Sequence, residues 1–126
     1  MKNVLRTLPV LLIALSLASY VQAAETKAVQ TMAGILVKLN HFPSDAEKKT
    51  LQDLIADKST TKDEATVAQA LLNVQHKVTD ADKAKLEALT KDANASASVK
   101  TLADVLLRLN HTPSDADKEK LKKLAA

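Results

Sequence analysis

The chain has 126 residues and carries 18 Lys and Arg against 15 Asp and Glu, a formal net charge of +3. It has no cysteine and one glycine, which excludes disulfides, thiolate metal ligands, a cysteine nucleophile and a glycine-rich phosphate loop. Aromatic residues make up 2% of the chain, too few to build a stacking surface for nucleic-acid bases.

The first 23 residues have the order of a secretory signal peptide. Lys2 and Arg6 precede an apolar stretch from Leu8 to Ala18, and small residues around Ala23 suit a cleavage site. An uncleaved membrane anchor is the alternative, but the stretch is shorter than the roughly 20 residues that span a bilayer. We therefore expect cleavage after Ala23, a periplasmic or secreted product, and no transmembrane segment after cleavage.

Cleavage changes the charge balance of the remaining protein. It removes Lys2 and Arg6 and no acidic residue, which lowers the net charge from +3 to +1. A near-neutral chain lacks the broad positive field that binding to nucleic acid requires. We therefore predict that nucleic acid is not a partner.

The rest of the chain repeats one pattern with a period of 35 residues, marked by Thr31, Thr66 and Thr101. A period of this size is typical of one supersecondary unit that is stacked on its neighbours. Aliphatic residues and alanine dominate its apolar positions, which favours helices. We predict a single all-α domain over residues 24–126. It consists of three tandem helical hairpins, approximately 27–60, 61–95 and 96–126, stacked as a small solenoid-like bundle.

The first helix of each copy is clearest in the second. Thr61 followed by Glu64 is a capping-box pattern, in which each residue satisfies a free backbone amide of the helix start. Val67, Leu71 and Val74 then recur at spacings of four and three, which places them on one face of a helix. The other two copies repeat this apolar spacing, so we predict three equivalent first helices.

A turn and a second helix follow in each copy. Pro43 and Pro113 end the first helix in the outer copies. Ser44, Thr79 and Ser114 are predicted N-caps of the second helix. The second helices are predicted over three ranges: Asp45 to Ala56, Asp80 to Thr90, and Asp115 to Ala125.

Two alanines distinguish the middle copy from its neighbours. Ala84 and Ala88 stand where the outer copies carry polar or charged residues, for example Lys49 and Lys123. Residues four apart share one face of a helix, so this pair indicates a second apolar face on the middle copy. A repeat between two others needs such a face. We therefore expect a linear or gently curved stack rather than a closed ring.

Each copy has a histidine at the end of its first helix and an aspartate four residues later: His41 and Asp45, His76 and Asp80, His111 and Asp115. Imidazole and carboxylate can together bind a divalent metal ion such as zinc or copper. A structural role is the simpler interpretation, because a histidine in the last turn interacts favourably with the helix dipole. Stacked hairpins would also hold equivalent histidines about 10 Å apart, too far to share one ion.

The functional prediction follows from these exclusions. We expect a non-enzymatic binding module for a peptide or protein partner, with Lys38 and Arg108 at the rim of its groove and no cofactor. A stress-related holdase or inhibitor belongs to this class. The alternative is metal or small-ligand binding through the repeated His-x3-Asp turns. Self-association through the end repeats is a third prediction.

Overall fold

The computed structural model describes residues 25–126 of the chain, and the predicted signal peptide at 1–23 lies outside these described residues. Within them the protein is all-helical, as predicted, with six α-helices and no β-strand. The helices are α1 (Lys27–Val37), α2 (Asp45–Ala56), α3 (Lys62–Leu72), α4 (Asp80–Lys91), α5 (Ala97–Arg108) and α6 (Asp115–Ala125).

The helices begin where the sequence places side chains that can cap them. Thr61 and Glu64 form the predicted capping box at the start of α3, and Ser44 forms a second one with Glu47 at the start of α2. Hydroxyl groups of four further residues accept a hydrogen bond from the third backbone amide of their helices: Thr26, Thr79, Ser96 and Ser114. Each such cap contributes about 0.5–2 kcal/mol to helix stability.

The first helices of the three copies form the centre of the bundle. Helices α1, α3 and α5 each contact the other two, and we call them the inner helices. Their facing side chains are fully buried, as Met32, Leu36, Leu71, Leu102 and Leu106 show. Burial of each large apolar side chain contributes about 1.5–3 kcal/mol, so these three helices carry much of the core.

The second helices, α2, α4 and α6, lie outside this centre, and we call them the outer helices. Each one contacts its own inner helix less extensively than the inner helix of the next copy: α2 lies on α3, α4 on α5, and α6 on α1. Leu51, Leu86 and Leu121 are the side chains that these helices bury completely. The same packing rule therefore applies three times around the bundle.

The contact between α6 and α1 closes the repeats into a ring. It is among the most extensive helix contacts in the described residues, and the side chain of Gln30 donates a hydrogen bond of 3.2 Å to the backbone oxygen of Ala126. The expectation of an open linear stack is wrong, because the last helix covers the face of α1 that an open stack would leave exposed.

The prediction that Ala84 and Ala88 form a second buried face is wrong. Ala84 and Ala88 are exposed in α4, as are Lys49 in α2 and Lys123 in α6. Alanine has the highest helix propensity and suits an exposed helix position as well as a buried one. An alanine face therefore does not indicate burial, and the middle copy has no second buried face at these positions.

Candidate metal centre

The turns that follow the inner helices meet at one end of the bundle, which we call the histidine pole (residues 39–43, 74–78 and 109–113). Each turn begins with a buried aliphatic side chain, Leu39, Val74 or Leu109, with 1–4% of its surface exposed. These side chains belong to the hydrophobic core. They anchor the turns, so that the histidine two residues later in each copy approaches its two equivalents.

A ring of three backbone hydrogen bonds joins the turns. The amide of His76 donates to the carbonyl oxygen of His41 at 2.6 Å, that of His111 donates to His76 at 2.8 Å, and that of His41 donates to His111 at 2.8 Å. These bonds link residues that are far apart in the chain and satisfy both backbone groups of every histidine. They fix the three Cα atoms around one axis.

The backbone of all three histidines lies in the left-handed region. Their φ angles are 73°, 70° and 69°, and within residues 25–126 no other non-glycine residue has a positive φ. The turns are tight: the amide of Phe42 donates to Asn40 at 2.9 Å, and that of Thr112 donates to Asn110 at 2.8 Å. A non-glycine residue in this conformation costs about 1–3 kcal/mol, which a glycine would avoid.

The ring geometry brings the three imidazoles together. Their ring centroids are 4.8–4.9 Å apart in edge-on arrangements. One potential ligand atom from each histidine lies within 4.8 Å of the other two. Nitrogens bound to one zinc ion at about 2.0–2.1 Å are roughly 3.3–3.6 Å apart, so modest ring rotations would complete a site. The expected 10 Å separation is wrong, since it applies to a stack and not to a ring.

Two of the imidazoles have a hydrogen-bond partner on the preceding residue. The Nδ1 atom of His41 lies 2.6 Å from Oδ1 of Asn40, and Nδ1 of His111 lies 2.8 Å from Oδ1 of Asn110. In the neutral tautomer that donates from Nδ1 to this amide oxygen, Nε2 keeps its lone pair. Metal-binding histidines commonly donate their second nitrogen in this way.

Helix ends of both polarities lie next to the histidine pole. The inner helices end at Val37, Leu72 and Arg108, immediately before the turns of the histidine pole. Three helix C-termini therefore face the same region, and each carries a partial negative charge from carbonyl groups without a helical partner. The outer helices begin just after the same turns, and the partial positive charge of their N-termini offsets this field.

The predicted aspartates are not part of this group. Asp45, Asp80 and Asp115 are exposed first residues of the outer helices. The group whose ligand atoms come together in the described residues contains the three histidines and no carboxylate. Of the predicted rim residues, Lys38 is exposed, whereas Arg108 forms an ion pair of 2.7 Å with Asp117 of α6.

Asp117 is the buried acid of two ion pairs, the short one with Arg108 and a longer one of 4.0 Å with Lys120. The side chain of Asp117 is 6% exposed. The hydrogen bond from Arg108 holds the pKa of this carboxyl below its ordinary value, and the same contact raises the pKa of Arg108. In the second copy Asp82 accepts from Asn73 and Thr79 instead. Both acids thus attach an outer helix to the end of its own inner helix.

Sequence reasoning missed the role of the residue before each histidine. Asn40 and Asn110 position two of the rings, while the second copy has Gln75 at this position. The repeated amide at one register position was the available signal. Its meaning depends on a turn geometry that the sequence does not state.

Comparison of this chain with protein-family models, with curated proteins and with solved structures gave no significant match. None of the six helices has both the length and the apolar character needed to cross a bilayer.

Proposed function

We propose that this protein binds one divalent transition-metal ion per chain through His41, His76 and His111. The observation that carries the proposal is the convergence of three imidazoles, one from each copy, on a single axis. One ion bound there would contact all three copies at once. Metal binding was the alternative prediction from the sequence, and the ligand set proposed here omits its aspartates.

The backbone strain supports a role for these side chains. The three left-handed residues in the described chain are the three histidines, and glycine would adopt the same turn at no steric cost. Strained backbone of this kind concentrates at functional sites. A function of the imidazole itself explains why histidine occupies all three positions.

The ligand chemistry indicates which ions fit. Three imidazole nitrogens without thiolate or carboxylate suit zinc, copper or nickel better than calcium or magnesium, which prefer oxygen ligands. Three protein ligands resemble the coordination of open zinc sites, whereas structural zinc sites have four. We therefore expect Zn²⁺, Cu²⁺ and Ni²⁺ to bind and Ca²⁺ and Mg²⁺ to have no effect.

Thermal unfolding of the untagged protein tests the proposal. An ion at 100 times its dissociation constant stabilises the folded state by about 2.7 kcal/mol, which raises the Tm of a domain of this size by roughly 10–20 °C. Single His41→Asn, His76→Asn and His111→Asn variants should each lose most of this shift. Asparagine is the appropriate replacement, because it tolerates a positive φ. No shift with any of the three metals, or a shift retained in all three variants, contradicts the proposal.

The aspartates provide a matched control. Asp45→Asn, Asp80→Asn and Asp115→Asn should keep the full shift, since these residues lie outside the histidine group. Calorimetric titration should give one ion per chain. Three ions per chain, with loss of binding in the aspartate variants, would instead support separate His-x3-Asp sites.

Peptide or protein binding stays a prediction from the sequence. The aliphatic side chains that could anchor a partner mostly form the hydrophobic core. Phe42 is the one large hydrophobic side chain exposed in the described residues, at 55%. A single exposed ring offers less support for a partner than the three histidines offer for a metal ion.

A further inference from the structure

We infer that the bound ion keeps one coordination position directed out of the protein, and that a small anion from solvent binds there. This inference rests on the proposed metal binding at the histidine pole.

The protein closes the inner side of the site. The ring of backbone hydrogen bonds lies directly at the histidines, and the buried side chains of Leu39, Val74 and Leu109 precede them. No polar side chain belongs to this layer, so it offers the ion no further ligand from within. The outer side differs: His76 and His111 are exposed, and His41 is half-buried.

The rim offers no fourth histidine, cysteine or carboxylate ligand within the described residues. The residues that follow the histidines are Phe42, Lys77 and Thr112, all exposed. A phenyl ring has no donor atom for a metal, and an ammonium group has no lone pair. No carboxylate of the described residues joins the group. With no fourth histidine or carboxylate in the group, we assign the remaining coordination position to a ligand from solvent.

The charge of the site selects an anion over a neutral ligand. Imidazole binds metal ions in its neutral form, so three histidines leave a divalent ion with both positive charges. The bound ion is then the largest local charge, and the ammonium group of Lys77 adds to the positive field at the rim. The carboxylates of Asp45, Asp80 and Asp115 lower the field at the rim, but they are exposed and therefore screened by solvent, whereas the anion contacts the ion directly.

Cobalt substitution tests the inference with an optical readout. Co²⁺ occupies zinc sites, and its visible spectrum depends on coordination number and geometry. Titration of the Co²⁺-loaded protein with sodium azide should shift the visible bands along a saturating curve, with one azide per cobalt. The His76→Asn variant should show neither the cobalt bands nor the azide response.

Each alternative result has a defined meaning. Cobalt bands that azide does not change would overturn the open position while leaving metal binding intact. One cobalt per two chains, with a doubled mass in light scattering, would show that a second copy fills the position, and would also overturn it. Absence of cobalt, zinc, copper and nickel binding would contradict the proposed function itself.

Discussion

The two ends of the inner helices differ in whether the three copies carry the same residues. At one end lie their N-termini, which we call the cap pole (residues 25–26, 60–64 and 95–99); at the other lies the histidine pole. The cap pole breaks the threefold pattern, because Glu64 stands where the other copies have Val29 and Val99. The histidine pole keeps the pattern, with the same residue and the same strained backbone in every copy.

The cap pole satisfies its polar groups within the protein. The carboxylate of Glu64 is 3% exposed and accepts from the amide of Thr61 at 2.9 Å and from the hydroxyl of Thr26 at 2.5 Å. Ser98 donates to Glu25 at 2.6 Å. A cavity of about 420 Å³ opens there, but these side chains are already paired. We interpret this pole as structural.

The comparison teaches how to separate a structural polar cluster from a functional one. Three helix N-termini carry partial positive charge, and one internal carboxylate compensates it. At the other end the protein places three imidazoles, two of which have the amide oxygen of the preceding asparagine beside Nδ1. The first cluster is complete without a ligand, whereas the second has the composition of a site that receives one.

The largest effect is expected from Glu64→Ala at the cap pole. The change leaves the Thr61 amide and the Thr26 hydroxyl without their acceptor, so the free energy of unfolding should fall by about 2–4 kcal/mol. Glu47→Ala is the matched control: it removes the same capping box from α2, where Glu47 is only half-buried, and should cost about 1 kcal/mol. Urea unfolding measures both. Equal losses would mean that the buried contact to Thr26 contributes nothing.

The second prediction concerns Asp117, which lies near the histidine pole but has a structural role. Its pKa is lowered in the folded protein, chiefly by the hydrogen bond from Arg108. Its contribution is therefore present above the unfolded pKa of about 3.9 and is lost as the pH falls through the folded value. Asp117→Asn should cost about 1–3 kcal/mol at pH 7, since it weakens a buried charge-assisted bond.

Urea unfolding between pH 7 and pH 3 measures this dependence. The difference between Asp117→Asn and the unmodified protein should shrink below about pH 4, as the wild-type carboxyl becomes protonated. Asp115→Asn on the same helix turn is exposed and should change stability by less than about 1 kcal/mol throughout. If Asp117→Asn lowers the free energy of unfolding by the same amount at every pH, the ionised carboxylate of Asp117 does not stabilise the fold through Arg108.

The third prediction separates strain from function at the histidine pole. Without metal, each His→Gly variant should be more stable than the matching His→Ala variant by about 1–2 kcal/mol, because only glycine adopts a positive φ freely. Both variants should lose the metal-dependent shift. Ala84→Gly in the exposed face of α4 is the control at a regular helix position. There glycine should lower the free energy of unfolding by about 1 kcal/mol relative to alanine. Alanine variants as stable as glycine variants would argue against left-handed turns.

The local structure was predictable because short-range interactions determine it. The predicted N-caps Ser44, Thr79 and Ser114 each accept the expected backbone hydrogen bond. The predicted ends of the second helices agree with the structure to within one residue. A cap, a proline and an apolar period act over a few residues, so they can be recognised in a sequence without knowledge of the fold.

The site was predictable in its residue types but not in its arrangement. The sequence singled out His41, His76 and His111, and also three aspartates that stay outside the group. A histidine four residues before an aspartate is compatible with a local site in each copy or with one shared site. Packing between distant helices decides which arrangement forms.

The sequence by itself determined an all-α chain, three equivalent helix pairs, their caps and the recurrence of histidine in every turn. Only the tertiary structure decided that α6 covers α1 and that the turns close into a ring of backbone hydrogen bonds. Helix periodicity depends on neighbours three and four residues away, whereas ring closure depends on contacts between the two ends of the described chain. Alanine suits both exposed and buried helix faces, so Ala84 and Ala88 carried no signal that distinguishes an open stack from a closed ring.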